Sequence, residues 1–132
     1  MGAYSTNKIF TDSNVNALLD RLYYEVATAL PEVNFDTKLC LTGRAAAQLQ
    51  GAAAVPCKNL VLLTSDAGVF TFAGGSLPKK MNATGAIRMQ ARIIFYLPAL
   101  VLELWYQPGI IKIETVSGIK CQDILEINEI LL

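Results

Sequence analysis

The chain has 132 residues, with Lys plus Arg matching Asp plus Glu at 11 each. That length supports one ordinary core and not two. A neutral chain with only 17% charged residues has no clustered positive charge with which to seek nucleic acid or anionic lipid. It also contains no histidine, which excludes Ser-His and Cys-His nucleophiles, imidazole general bases and every His-bearing zinc site.

Residues 1–14 are polar and mixed, so no secretory signal is expected. The longest apolar run, Ile93 to Leu102, is half a membrane span and contains Pro98. Cys40, Cys57 and Cys121 are odd in number and widely spaced. They read as reduced structural thiols, and the expected compartment is the cytosol or the interior of an assembled particle.

Thr11 to Asn14 is a helix-start cluster. Val15, Leu18, Leu19, Leu22, Val26 and Leu30 then recur at spacings of three and four, predicting an amphipathic helix over 13–30 that Pro31 ends. Lys38 to Thr42 reads as a short buried strand ending on Gly43. Arg44 to Gln50 is rich in helix formers, with Gly51 as a C-terminal cap. Asn59 to Thr64 is almost unbroken apolar sequence, the pattern of a central strand covered on both faces. Val69 to Ala73 is expected as a third strand after a turn at Ser65 to Gly68. Gly74 to Gln90 is the least regular stretch, a short helix or a loop. Ala91 to Leu97, Leu100 to Gln107 and Ile110 to Thr115 predict three more strands, and Asp123 to Leu132 a closing helix. The expected fold is a single α+β domain, with a mixed, mostly antiparallel sheet of five or six strands and two or three helices.

The order strand, Gly43 turn, small-residue helix and apolar strand from Leu41 to Asp66 resembles the minimal nucleotidyltransferases of the toxin–antitoxin and abortive-infection type. The later strand Val101-Leu102-Glu103-Leu104 resembles the one that supplies a third carboxylate in that family, and the closing SGIKCQDILEI resembles its ending. The resemblance implies a nucleotidyltransferase-like sheet, with Gly43 and Arg44 at the phosphate turn and an Asp-x-Asp pair falling on Asn59 and Val61. Two carboxylates there would hold the Mg²⁺ ions that bridge nucleotide phosphates. Asn59 offers one neutral oxygen and Val61 none. Glu103 alone cannot hold a metal pair, and Arg44 is bulky where the family has Gly or Ser. No catalytic residue, metal or cofactor is therefore expected.

Two weaker patterns read as structural. Gly74-Gly75-Ser76-Leu77-Pro78-Lys79-Lys80 lacks the Gly-Lys-Ser/Thr ending of a phosphate loop, and Pro78 removes a backbone N–H. Phe95, Tyr96, Trp105 and Tyr106 have Arg92 as their one basic companion, and read as packing rather than a base-stacking platform. The C-terminal segment carries Ile124, Leu125, Ile127, Ile130, Leu131 and Leu132 on nearly all sides, a pattern that calls for burial against more than one neighbour. The expected function is a non-catalytic protein–protein interaction or assembly subunit, such as a virion or large-complex component, bound to a protein partner or to itself. The alternatives are an active nucleotidyltransferase using Asp66 and Glu103 as metal ligands, and a nucleotide-binding regulator.

Overall fold

The computed structural model describes residues 13–34, 37–51, 59–98, 100–116 and 118–127. Helix α1 (Ser13–Ala29) is followed by strand β1 (Leu39–Thr42), helix α2 (Gly43–Leu49), strand β2 (Asn59–Thr64), helix α3 (Ala67–Gly75) and helix α4 (Leu77–Lys80). Strands β3 (Gly85–Met89), β4 (Arg92–Tyr96), β5 (Val101–Tyr106), β6 (Ile113–Val116) and β7 (Ile119–Gln122) complete a seven-stranded sheet, ordered β3-β4-β5-β2-β1-β7-β6. Two neighbouring pairs, β1 with β7 and β2 with β5, are parallel; the other four are antiparallel. The fold is thus α+β with a mixed, mostly antiparallel sheet, of seven strands rather than five or six.

Alternation along the strands gives the sheet two different faces. Leu60, Leu62 and Thr64 of β2 share one face with Leu102 and Leu104 of β5 and with Ile93 and Phe95 of β4. Leu19, Leu22 and Val26 of α1, Val69 and Phe70 of α3, and Leu77 of α4 cover that face. The space left among these side chains is only about 10 Å³, less than a water needs. On the opposite face, Val61 is half-buried and Leu63 buried. Strand β2 is central, as its sequence predicts, but only one of its faces lies under helices.

The segment Val69 to Ala73, expected as a strand, is the middle of α3. The reason is local: the Asp66 carboxylate accepts a hydrogen bond from the Val69 N–H at 3.0 Å and so caps the helix start. Val69, Phe70 and Ala73 then fall at helical spacing into the core. The apparent turn at Asp66 is a helix cap, and β-branched and aromatic composition misleads once tertiary burial decides. Strand β7 was not expected. Its four residues pair with β6, and Cys121 pairs with Leu41 of β1, which places the C-terminal segment beside the middle of the sheet.

The C-terminal segment departs from expectation as well. Asp123 caps a 3-10 turn over Ile124–Glu126 rather than an α-helix, accepting from the Leu125 N–H at 2.9 Å. Ile127 is buried in the domain's own core, Ile124 is half-buried and Leu125 stands 85% exposed. Ile130, Leu131 and Leu132 lie outside the described residues, as do Cys57 and residues 1–12. Gly74 and Gly75 are helical and Leu77 is a core residue, so the glycine-lysine segment forms no phosphate cradle. No helix among the described residues is long and apolar enough to cross a membrane.

Candidate functional site

On the face of the sheet opposite α1, α3 and α4 lies a cleft of about 320 Å³. Thr42 and Gly43 border it where β1 passes into α2; Val61 and Leu63 come from β2, Arg92 from β4, and Glu103, Trp105 and Gln107 from β5 and the residue after it. Gln122 of β7 and Glu126 close the far side. Gly43 has φ +70°, a left-handed conformation that side chains other than Gly rarely adopt. A Cβ there would stand 3.5 Å from the Val61 Cβ, so the turn brings the start of α2 directly against β2.

Glu103 is the centre of the cleft. Pairing sets it opposite Val61 on one side and Ile94 on the other. Its Oε2 accepts from Asn59 Nδ2 at 2.8 Å and its Oε1 from Trp105 Nε1 at 3.1 Å, while the Arg92 guanidinium lies 3.6 Å from Oε1. The same guanidinium sits 5.1 Å from the Trp105 ring centroid, stacked as a cation over its face. A second Arg92 nitrogen donates to Met89 Sδ at 3.0 Å. The only glutamate of β5 is therefore neutralised by one cation and hydrogen-bonded by two further side chains of the sheet.

The far wall is a polar latch. Thr42 Oγ1 donates to Gln122 Oε1 at 2.6 Å, linking β1 to β7 with both residues buried. Gln50 Nε2 donates to the Gln122 carbonyl at 2.7 Å, and Gln50 Oε1 accepts from the Ile124 N–H at 3.0 Å. The end of α2 thereby holds the strand and the turn that carry Glu126. With Arg92 and Glu103 paired, Glu126 is the remaining charge among the lining residues.

Four of the five positions that the family resemblance singles out meet here: Gly43, Val61 and Glu103 line the cleft and Asn59 is bonded to Glu103. Arg44 is exposed and does not line it. Asp66, the other acid of the active-enzyme alternative, is spent on the cap of α3 and is not a lining residue. The residues do not fit a two-metal site. Val61 has no donor atom, Asn59 supplies at most one neutral oxygen, and both Glu103 oxygens already accept hydrogen bonds. Among the described residues no group of three or more Cys, Asp or Glu could hold a metal ion.

The four aromatic residues divide between the two faces. Tyr96 and Trp105 are on the cleft side, whereas Phe95 is core and Tyr106 stacks on Phe70 of α3 with centroids 5.4 Å apart. Sequence reasoning missed Gln107 and Gln122 entirely and did not connect Arg92 with Glu103. Alternation along Val101-Glu103-Trp105-Gln107 would have placed Trp105 and Gln107 on the same face as Glu103. The Arg92 contact depends on hairpin register, which the turn between Leu97 and Leu100 and the apolar alternation on either side set.

No protein-family model matches the chain, and no curated protein matches it. Among solved structures it is similar to a candidate nucleotidyltransferase from H. pylori, at 11% identity and TM-score 0.43, covering 82% of this chain and 53% of that one. It is also similar to JHP933 from Helicobacter pylori, at 11% identity and TM-score 0.42, covering 82% and 52%. The chain spans about half the length of either structure.

Proposed function

We propose that this chain is a non-catalytic interaction or assembly module on a nucleotidyltransferase-like sheet, working as a subunit of a larger complex. One observation carries the reading: Glu103, the acid that the family resemblance would make a metal ligand, is committed to Arg92, Trp105 and Asn59. A cation already occupies its field, so a second cation would have to displace a guanidinium that is also stacked on an indole. The cleft is preserved as a shape, and its chemistry has become structural.

A small-ligand regulator is the second reading. It draws support from the cleft volume and from Trp105, which offers an aromatic wall. A nucleoside triphosphate is a poor candidate for that ligand, because among the described residues the lining holds Arg92 as its one cation and Arg92 is paired. Thermal melting separates the readings. The interaction module should melt at the same temperature with and without nucleoside triphosphate and Mg²⁺. Stabilisation by nucleotide alone would favour the regulator, and stabilisation only by nucleotide with Mg²⁺ would restore the enzyme.

A further inference from the structure

Among the described residues strand β3 forms one edge of the sheet, and all five of its residues are exposed. Its ladder with β4 runs without a bulge from Gly85↔Tyr96 to Met89↔Arg92. The backbone direction of each residue can be worked out from the next strand. The Tyr106 N–H donates to the Ala91 carbonyl at 2.8 Å, so Ala91, Ile93 and Phe95 bond towards β5. Arg92, Ile94 and Tyr96 then bond towards β3, where their partners are Met89, Ile87 and Gly85. That leaves the N–H and C=O groups of Ala86 and Arg88 directed at the open edge.

Natural edges are usually guarded by proline, a bulge or a charged side chain. Here there is no proline, the one irregularity is at the very start, where the Thr84 N–H also donates to the Tyr96 carbonyl at 2.8 Å, and the one charge is drawn aside: the Arg88 guanidinium lies 5.2 Å from the Phe70 ring centroid, on the helix side. On the cleft side the edge ends in an apolar patch, with Ile87, Met89 and Tyr96 exposed by 46, 41 and 38%.

We infer that β3 is a self-association edge. It pairs antiparallel with β3 of a second copy about a two-fold axis at Ile87, and this deepens the assembly reading, on which it rests. In that register Ala86 of each copy faces Arg88 of the other, and the four outward backbone donors and acceptors of each copy are satisfied. Ile87 meets Ile87 at the close, non-hydrogen-bonded position, where side chains approach most tightly. Met89 of one copy faces Gly85 of the other, the position at which a missing side chain leaves the neighbouring Tyr96 ring open; a Cβ at Gly85 would stand 4.0 Å from that ring. Met against aromatic is a favourable contact.

Electrostatics disfavours two of the competing arrangements. Shifting the axis to Arg88 would set two arginines directly opposite each other. The same symmetric pairing at the other edge, centred on Glu114 of β6, would oppose two exposed glutamates. The β3 arrangement opposes no like charges and is isologous, so it closes at two chains. A β3-to-β6 contact would instead be heterologous and would extend into open chains.

The test is the mass of the full chain by light scattering, with two variants at a position that faces away from the core. The wild type should measure twice the 14.3 kDa chain. Ile87→Lys and Ile87→Glu should each halve the mass while keeping the wild-type circular-dichroism spectrum and cooperative unfolding, and mixing the two should restore the doubled mass. A wild type at single-chain mass overturns the inference, as does a dimer that survives Ile87→Lys, or a mass that climbs without limit as expected for β3-to-β6 chains. A dimer surviving Ile87→Lys would leave the assembly reading standing and remove only this surface. A single-chain wild type that melts higher with nucleotide would remove both.

Discussion

Replacing Glu103 by Ala separates a carboxylate kept for metal chemistry from one built into the sheet, because the two respond with opposite sign. An acid held ready for a metal among like charges is a source of repulsion, and its removal relieves the fold. Glu103 instead has a side chain 12% exposed that faces Arg92 at 3.6 Å and accepts from Trp105 at 3.1 Å and Asn59 at 2.8 Å. Leaving the half-buried Trp105 N–H without this acceptor costs about 1–2 kcal/mol. The Arg92 pair adds less than about 1 kcal/mol, since the Arg92 side chain is one-third exposed. The bond from exposed Asn59 competes with water and adds little. The expected loss is about 2 kcal/mol, roughly 7 °C in Tm for a chain of this length. Urea and thermal unfolding should be followed by far-ultraviolet circular dichroism, because Trp105 is the only tryptophan and its fluorescence will respond to the substitution itself. Glu103→Gln keeps an acceptor for Trp105 and should lose about half as much. An Ala variant as stable as wild type, or more stable, would refute the structural role.

Leu60→Ala and Leu62→Ala should each cost about 2–5 kcal/mol, because both are buried beneath the helices at 2% and 0% exposure; a variant that melts like wild type would show that its side chain is not in the core. Cys40 and Cys121 should resist alkylation at pH 8 in the folded chain and react once it is unfolded. Burial first, and then Cys121, pushes the Cys40 thiol up to about 12, and burial raises Cys121 to about 11. Since the folded state favours the protonated thiols, their stabilising contribution is complete below pH 9 and is lost as the pH rises towards 12. A fold whose urea midpoint is flat over that range would contradict it. Gln50→Ala removes the acceptor of the Ile124 N–H and a donor to Gln122, so hydrogen exchange at Ile124 should accelerate while α1 stays protected. Unchanged exchange there would show that the latch does not hold the C-terminal turn.

Much of the scaffold was legible because periodicity and punctuation agree with burial. The three-and-four spacing from Val15 to Leu30 is α1, and Pro31 follows its end. The run Asn59 to Thr64 is β2, at the middle of the sheet. Errors arose where the same residues serve two periods. In Val69 to Ala73 the β-branched and aromatic side chains read as strand, yet the Asp66 cap and a core on one side make a helix. Strand β7 is four residues that gain their identity only by pairing with β1 and β6, contacts distant in sequence. The cleft was legible as a set of positions, Gly43, Asn59, Val61 and Glu103, but its chemistry was not. What neutralises Glu103 is Arg92, whose place depends on the register of the β4–β5 pair, and that register follows from the turn closed by the Leu97 N–H on the Leu100 carbonyl, whose geometry must be known before the cross-strand neighbour can be read.

The proposal that the cleft is non-catalytic, with Glu103 held in a fixed Arg92–Glu103–Trp105 cluster, is tested most directly by nucleotide transfer. Purified chain is incubated with each labelled ribonucleoside triphosphate and either Mg²⁺ or Mn²⁺, with protein and RNA acceptors, alongside Glu103→Gln. The account predicts no labelled product above background from either protein. Turnover by the wild type that disappears in Glu103→Gln would show that Glu103 holds a metal in spite of its three partners, and would contradict the account.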